Sequence, residues 1–195
     1  MKQEKENAST EVTEVASGVL RLQLPIEFAG LGHVNCYALL DDRGVALVDP
    51  GLPGPTTRQA IEDRLASVDI PLARVHTVVV THSHPDHFGG ADLIASETGA
   101  EVITHERFRT FLDPDEGEDE DLVPMSATGQ ADVGQPDAAV GRLLRDRPSP
   151  WGGTPLGPPP ERRAEMRANA AMMAQWFRPP RPTRRVADGD RVELG

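Results

Sequence analysis

From Glu11 to about residue 50 short apolar runs at strand spacing follow one another, and the period then lengthens. Val19 to Leu24, VLRLQL, carries an apolar residue at every second position, which predicts a strand with one buried face. A strand before it, Glu11 to Ala16, is set off by Ser17-Gly18, a turn signal. Val34 to Leu40 and Val45 to Val48 predict two further strands, joined by the tight turn Asp41-Asp42-Arg43-Gly44. Pro55 to Ala66 follows Gly54, with Ile61 and Leu65 four apart, and predicts a short helix with proline in its first turn. Val75 to Thr81, VHTVVVT, is β-branched enough for a buried strand. The pattern then predicts a helix over Phe88 to Thr98, stopped by Gly99, and a strand over Glu101 to Thr104. Strands that alternate with helices predict an α/β layered fold.

Beyond Glu106 the text changes. Asp113 to Asp121, DPDEGEDED, holds seven acids in nine residues and predicts a solvated loop. Arg147 to Pro160 holds six prolines and three glycines, which no regular element tolerates. Glu161 to Arg178 predicts a helix, with Met166, Ala170, Met173 and Phe177 on one face and Pro179-Pro180 as the stop. Arg185-Val186 and Arg191 to Leu194 flank a turn signal at residues 187–190. The expected organisation is a frayed polar tail over 1–10, a strand-rich part over 11–105, a partly helical insertion over 106–182, and a last segment over 183–195.

Composition narrows the function classes. Twenty basic residues against 31 acidic give a net charge of −11, and only two of the basic residues are Lys, so a surface that tracks phosphates has no support. Aromatic residues are 4%, too few for a platform that stacks single-stranded bases. The lone cysteine, Cys36, rules out an intrachain disulfide framework and a cysteine-rich zinc finger. No apolar run has the length of a signal peptide core or of a membrane span. The expectation is a cytoplasmic protein whose partner is a small molecule, with no nucleic acid and no membrane.

The chemistry lies in Thr81-His82-Ser83-His84-Pro85-Asp86-His87-Phe88-Gly89-Gly90, placed between a strand and a helix. Three imidazoles and a carboxylate in six positions form the donor set that suits a borderline-soft cation such as Zn²⁺. In an extended segment His82 and His84 point to one side and can share an ion. Asp86 and His87 lie past Pro85 on the first helical turn and face back over the strand end. Four ligands in so short a segment fit two adjacent ions better than one. Gly89 and Gly90 allow the helix backbone a close approach. His76 stands outside this pattern and is expected to be an ordinary surface or core histidine.

This segment resembles the signature of the metallo-β-lactamase-fold superfamily of metal-dependent hydrolases. Gly32-His33-Val34-Asn35-Cys36-Tyr37 is similar to the early strand of glyoxalase-II-like members, and Val48-Asp49-Pro50-Gly51 to a family strand that ends in an Asp-x-Gly turn. Gly99 to His105 resembles the strand after the motif helix. The resemblance covers roughly residues 15 to 106 and implies the N-terminal half of an αββα sandwich with a binuclear site at one edge of its sheets. It implies His82 and His84 as ligands of a first metal, and Asp86 and His87 as ligands of a second. Asp49 would orient a ligand beside the site; a role in capping the turn before Gly51 is the alternative. The implied cofactor is Zn²⁺, two per complete site, with Fe or Mn as substitutes. The implied reaction is attack of a metal-activated water on a small ester or thioester, with Asp86 also holding or orienting that water's proton.

The chain departs from the family in its C-terminal half. Further ligands would be expected in a Gly-His-Thr-like segment after the strand near Arg191, but the sequence stops at Gly195, and His33, His76 and His105 stand in no such context. With fewer than three ligands per ion, the expectation is a truncated half with impaired or absent activity and an uncovered sheet face open to self-association. Two alternatives are an iron-binding oxidoreductase of the same fold and a non-enzymatic interaction module. Metal content and oxygen uptake separate the first from a hydrolase; a chain that binds no metal and hydrolyses nothing fits the second.

Overall fold

The computed structural model describes residues 6–26, 32–110, 168 and 176–194. The chain divides into two compact units, Met1–Phe108 with Phe177–Gly195, and Arg109–Trp176. Every strand among the described residues belongs to the first unit and to one mixed sheet of seven strands.

The alternation in VLRLQL is realised literally. In β2 (Val19–Pro25) Leu20, Leu22 and Leu24 are buried, while Val19, Arg21 and Gln23 lie half-buried on the other face. β2 pairs antiparallel with β3 (His33–Asp41), and the register sets Leu20 beside Ala38, Leu22 beside Cys36 and Leu24 beside Val34. β1 (Thr13–Ala16) is a fully exposed edge strand paired with β2. β4 (Gly44–Val48) closes a hairpin on β3. From there the sheet turns parallel through β5 (Val75–Val79), β6 (Glu101–His105) and β7 (Arg184–Val186). A parallel neighbour needs a crossover. Helix α1 (Pro55–Ala66) supplies the one between β4 and β5; α2 (Pro85–Phe88) and α3 (Ala91–Thr98) supply the one between β5 and β6. Ile61 and Leu65 of α1, Ala91 and Ile94 of α3, and Leu22, Leu24, Leu47 and Val78 of the sheet are fully buried.

Three sequence expectations change. The helix expected over 88–98 begins at Ala91, because Gly90 donates its N–H to the carbonyl of Gly51 (2.9 Å) and α2 stands apart as one turn. Of the tail expected to fray over 1–10, residues 6–10 fall among those described and are tied down. Ser9 donates its N–H to Gln23 Oε1 (2.8 Å), and its carbonyl accepts from Arg64 Nη2 (2.9 Å). The buried His33 places Nδ1 2.8 Å from the Glu6 carbonyl. Residues 191–194 form no strand; one side of the expected pair is β7 and the other is irregular.

The acidic run 113–121, the proline-rich stretch 147–160 and most of the helix expected over 161–178 lie outside the described residues. At the end of that helix Phe177 and Arg178 are not helical, and the conformational bias on a residue before proline accounts for Arg178. Among the described residues no helix is long and apolar enough to cross a membrane.

Candidate metal centre

β4 and β5 run parallel and end side by side, so the segments that leave them meet at one rim of the sheet. Asp49 follows β4 and keeps the ladder one residue longer by donating its N–H to Val79 O at 2.9 Å. It then turns with φ 55°, a left-handed conformation that Asp tolerates better than most residues, and Gly51 follows at φ 79°. That turn aims the buried Asp49 carboxylate across at the segment leaving β5. Oδ1 accepts the Thr81 backbone N–H at 2.8 Å, and Oδ2 lies 2.6 Å from Thr81 Oγ1 and 3.0 Å from His87 Nδ1.

The motif sits close to the Asp49 turn because nothing stands between their backbones. A Cβ on Gly89 would lie 2.4 Å from Pro53 Cδ, and one on Gly90 would lie 2.3 Å from the Pro50 carbonyl oxygen. Pro85 opens α2, whose first amides bond to the His84 carbonyl (His87 N–H at 2.9 Å, Phe88 N–H at 3.2 Å). Phe88 is fully buried and anchors the turn from beneath, packing against Phe108 and Phe177 at ring-centroid distances of 6.1 and 6.3 Å. His87, one residue before this anchor, is thereby presented at the rim.

The three imidazoles converge. Ring centroids are 4.1 Å apart for His82 and His87, 4.7 Å for His82 and His84, and 6.4 Å for His84 and His87. His82 Nε2 lies 3.2 Å from His84 Nδ1. Two nitrogens held at about 2.0–2.1 Å from one tetrahedral ion stand roughly 3.3 Å apart, so this pair already has the spacing of two ligands on one Zn²⁺. Asp86 Oδ2 is 3.6 Å from His87 Nε2, too far for a hydrogen bond but facing the same space. Asp49, His82 and His87 also offer donor atoms within 4.8 Å of one another. The two oxygens of Asp49 already accept hydrogen bonds from Thr81 and His87, as an acceptor behind a histidine ligand would. The Asp49 carboxylate bonds across to Thr81 and His87 rather than to the turn ahead of it.

Electrostatics follow the same map. Burial works against ionised Asp49, but the bonds from His87 and Thr81 outweigh it and hold the carboxyl below the usual range. Burial also works against a charged His87, yet the bond to Asp49 and the charges of Asp86 and Asp49 win and raise its pKa. His82 moves the other way: burial first, then the neighbouring His87 and His84, lower its pKa. Buried Cys36 is pushed well above an ordinary thiol by burial and then by the Asp49 charge, so no reactive thiolate competes for the chemistry.

The remaining histidines stay out of the cluster. His76 sits 3.1 Å from Asp41 Oδ2 and 2.9 Å from Thr77 Oγ1, away from the motif. His105 accepts the Arg107 N–H at 3.1 Å in a surface turn, and His33 serves the N-terminal segment. Sequence reasoning passed over Thr81, which bonds to both Asp49 and His82; its position directly before the first histidine was the available signal.

Residues 29–182 match the family model of the metallo-beta-lactamase superfamily. The chain is similar to the probable metallo-hydrolase YqjP of Bacillus subtilis (strain 168), 34% identical over 96 residues that make up 49% of this chain and 28% of that protein. It is 37% identical over 63 residues to a hydroxyacylglutathione hydrolase of Albidiferax ferrireducens, covering 32% of this chain and 22% of the other. Among solved structures, a metallo-beta-lactamase family protein from Thermus thermophilus is 35% identical, covering 48% of this chain and 30% of that one at a TM-score of 0.44. The chain thus spans less than a third of the length of each of these proteins.

Proposed function

This chain belongs to the metallo-beta-lactamase superfamily, and from that premise we propose that it carries the motif half of a zinc-dependent hydrolase acting on a small ester or thioester. The observation that carries the reading is the convergence of His82, His84, Asp86 and His87 at the rim, with two ring nitrogens already at ligand spacing. His82 and His84 would hold one divalent ion, and Asp86 and His87 a second. When bound, such ions polarise a substrate oxygen and make a nucleophile available near neutral pH.

The chain's own residues supply the rest. Asp49 accepts a hydrogen bond from His87 Nδ1–H and so leaves the Nε2 lone pair of neutral His87 for ligation. Asp86, partly exposed on the first turn of α2, can accept and hold the proton that a water gives up on attacking a carbonyl carbon. Gly89 and Gly90 keep these groups against the Asp49 turn. The similarity to a hydroxyacylglutathione hydrolase favours a thioester among the candidate substrates.

Purified protein, stripped with chelator and dialysed against Zn²⁺, should retain at least about one equivalent per chain by elemental analysis, and His82→Ala with His84→Ala should abolish retention. On a panel of esters, thioesters and lactams, any turnover should vanish with EDTA and return with Zn²⁺. Zinc retention unchanged in the double variant would refute the assignment.

A further inference from the structure

The geometry points to Thr81 as a positioning residue whose hydroxyl passes the orientation imposed by Asp49 on to His82, fixing that imidazole with its proton on Nδ1 and its lone pair on Nε2. The inference rests on the metal-site reading for its purpose, though not for its geometry.

It follows from counting protons. An ionised carboxylate only accepts hydrogen bonds, and a threonine hydroxyl has a single proton to give. Thr81 Oγ1 lies 2.6 Å from Asp49 Oδ2, a short contact of the charge-assisted kind, so that proton is committed to Asp49. The same oxygen lies 2.9 Å from His82 Nδ1 and can serve that contact only as an acceptor. His82 Nδ1 must therefore carry the hydrogen. Nε2 is left with its lone pair, and Nε2 is the atom that faces His84 Nδ1 at 3.2 Å. The Thr81 backbone N–H, bonded to Asp49 Oδ1 at 2.8 Å, holds in place the main chain that carries the hydroxyl.

One carboxylate thus sets two histidines. It reaches His87 directly through Nδ1 and His82 through the Thr81 hydroxyl, and in both rings Nε2 is the nitrogen left to bind. Without Thr81 the neutral His82 ring would be free to place its proton on either nitrogen, and part of the population would present N–H where a lone pair is needed.

The test is long-range ¹H–¹⁵N spectroscopy of the metal-free full chain, at a pH where His82 is neutral, paired with Zn²⁺ titration by calorimetry. Wild type should show the Nδ1–H pattern at His82. Thr81→Val, which keeps the shape and the backbone N–H bond, should show mixed tautomers and roughly 10- to 100-fold weaker zinc binding. Thr81→Ser should restore both. A wild-type His82 protonated on Nε2, or a Thr81→Val protein that keeps the Nδ1–H pattern, overturns the inference. Should Thr81→Val not fold, the wild-type and Thr81→Ser spectra still decide. If no variant binds zinc, the hydrolase reading fails while the tautomer result stands by itself.

Discussion

Asp41 closes the β3–β4 turn with both oxygens engaged: Oδ1 accepts the N–H groups of Arg43 (2.8 Å) and Gly44 (3.0 Å), and Oδ2 faces His76 Nε2 at 3.1 Å. Burial opposes its charge, but the two backbone bonds, His76 and the Arg43 side chain prevail and lower its pKa. A carboxyl whose folded pKa is depressed stabilises the fold above its unfolded value near ~3.9, and that contribution fades as pH falls through the lower folded value. Asp41→Asn keeps an acceptor and loses the charge, so it should melt below wild type at pH 7, with the difference closing below about pH 4. Melting curves from pH 7 to pH 3 measure this, and a gap that stays constant with pH would contradict it. At this scale the sequence was partly legible. His82, His84, Asp86 and His87 announce themselves by residue type and spacing. Thr81 does not, because its role arises only when Asp49, 32 residues earlier in the chain, is brought to its hydroxyl.

Among elements, Gly90 and Gly99 represent two kinds of glycine. Gly99 ends α3 at φ 74° with nothing within 4 Å of an added Cβ, whereas Gly90 has an ordinary helical φ of −80° and no room at all. Gly99→Ala should cost about 1 kcal/mol, the strain of a left-handed alanine. Gly90→Ala must push the Pro50 carbonyl aside and should cost about 1–3 kcal/mol or more while loosening metal retention, since the Asp49 turn moves with it. Urea denaturation of both variants, alongside zinc retention, distinguishes them; equal loss of retention in the two would refute the distinction. Strands were read well because period-two alternation is local, as in β2. The split between α2 and α3 was not, because the bond from Gly90 to Gly51 that causes it is a tertiary contact and leaves no mark on helical periodicity.

For the molecule as a whole, Phe88 links the histidine motif to the C-terminal return of the chain. Its ring meets Phe177, from which the chain runs on to Thr183, and Thr183 donates its N–H to the Val102 carbonyl (2.9 Å) just ahead of β7. Phe88→Ala should therefore lower stability by about 3–5 kcal/mol and raise amide exchange in β7 along with the motif. Exchange confined to residues 82–90 would show that the aromatic link carries no such coupling.

The seven strands lie across the sheet in the order in which they occur in the chain. A nascent polypeptide emerging from the ribosome can thus lay each strand against one already in place, β2 on β1 and so on through β6. Only β7 has to wait, since Thr183 is synthesised 81 residues after the Val102 it must reach. The histidine motif is complete before that interval begins, so the rim that carries it can be assembled co-translationally while the sheet's final edge is still being made.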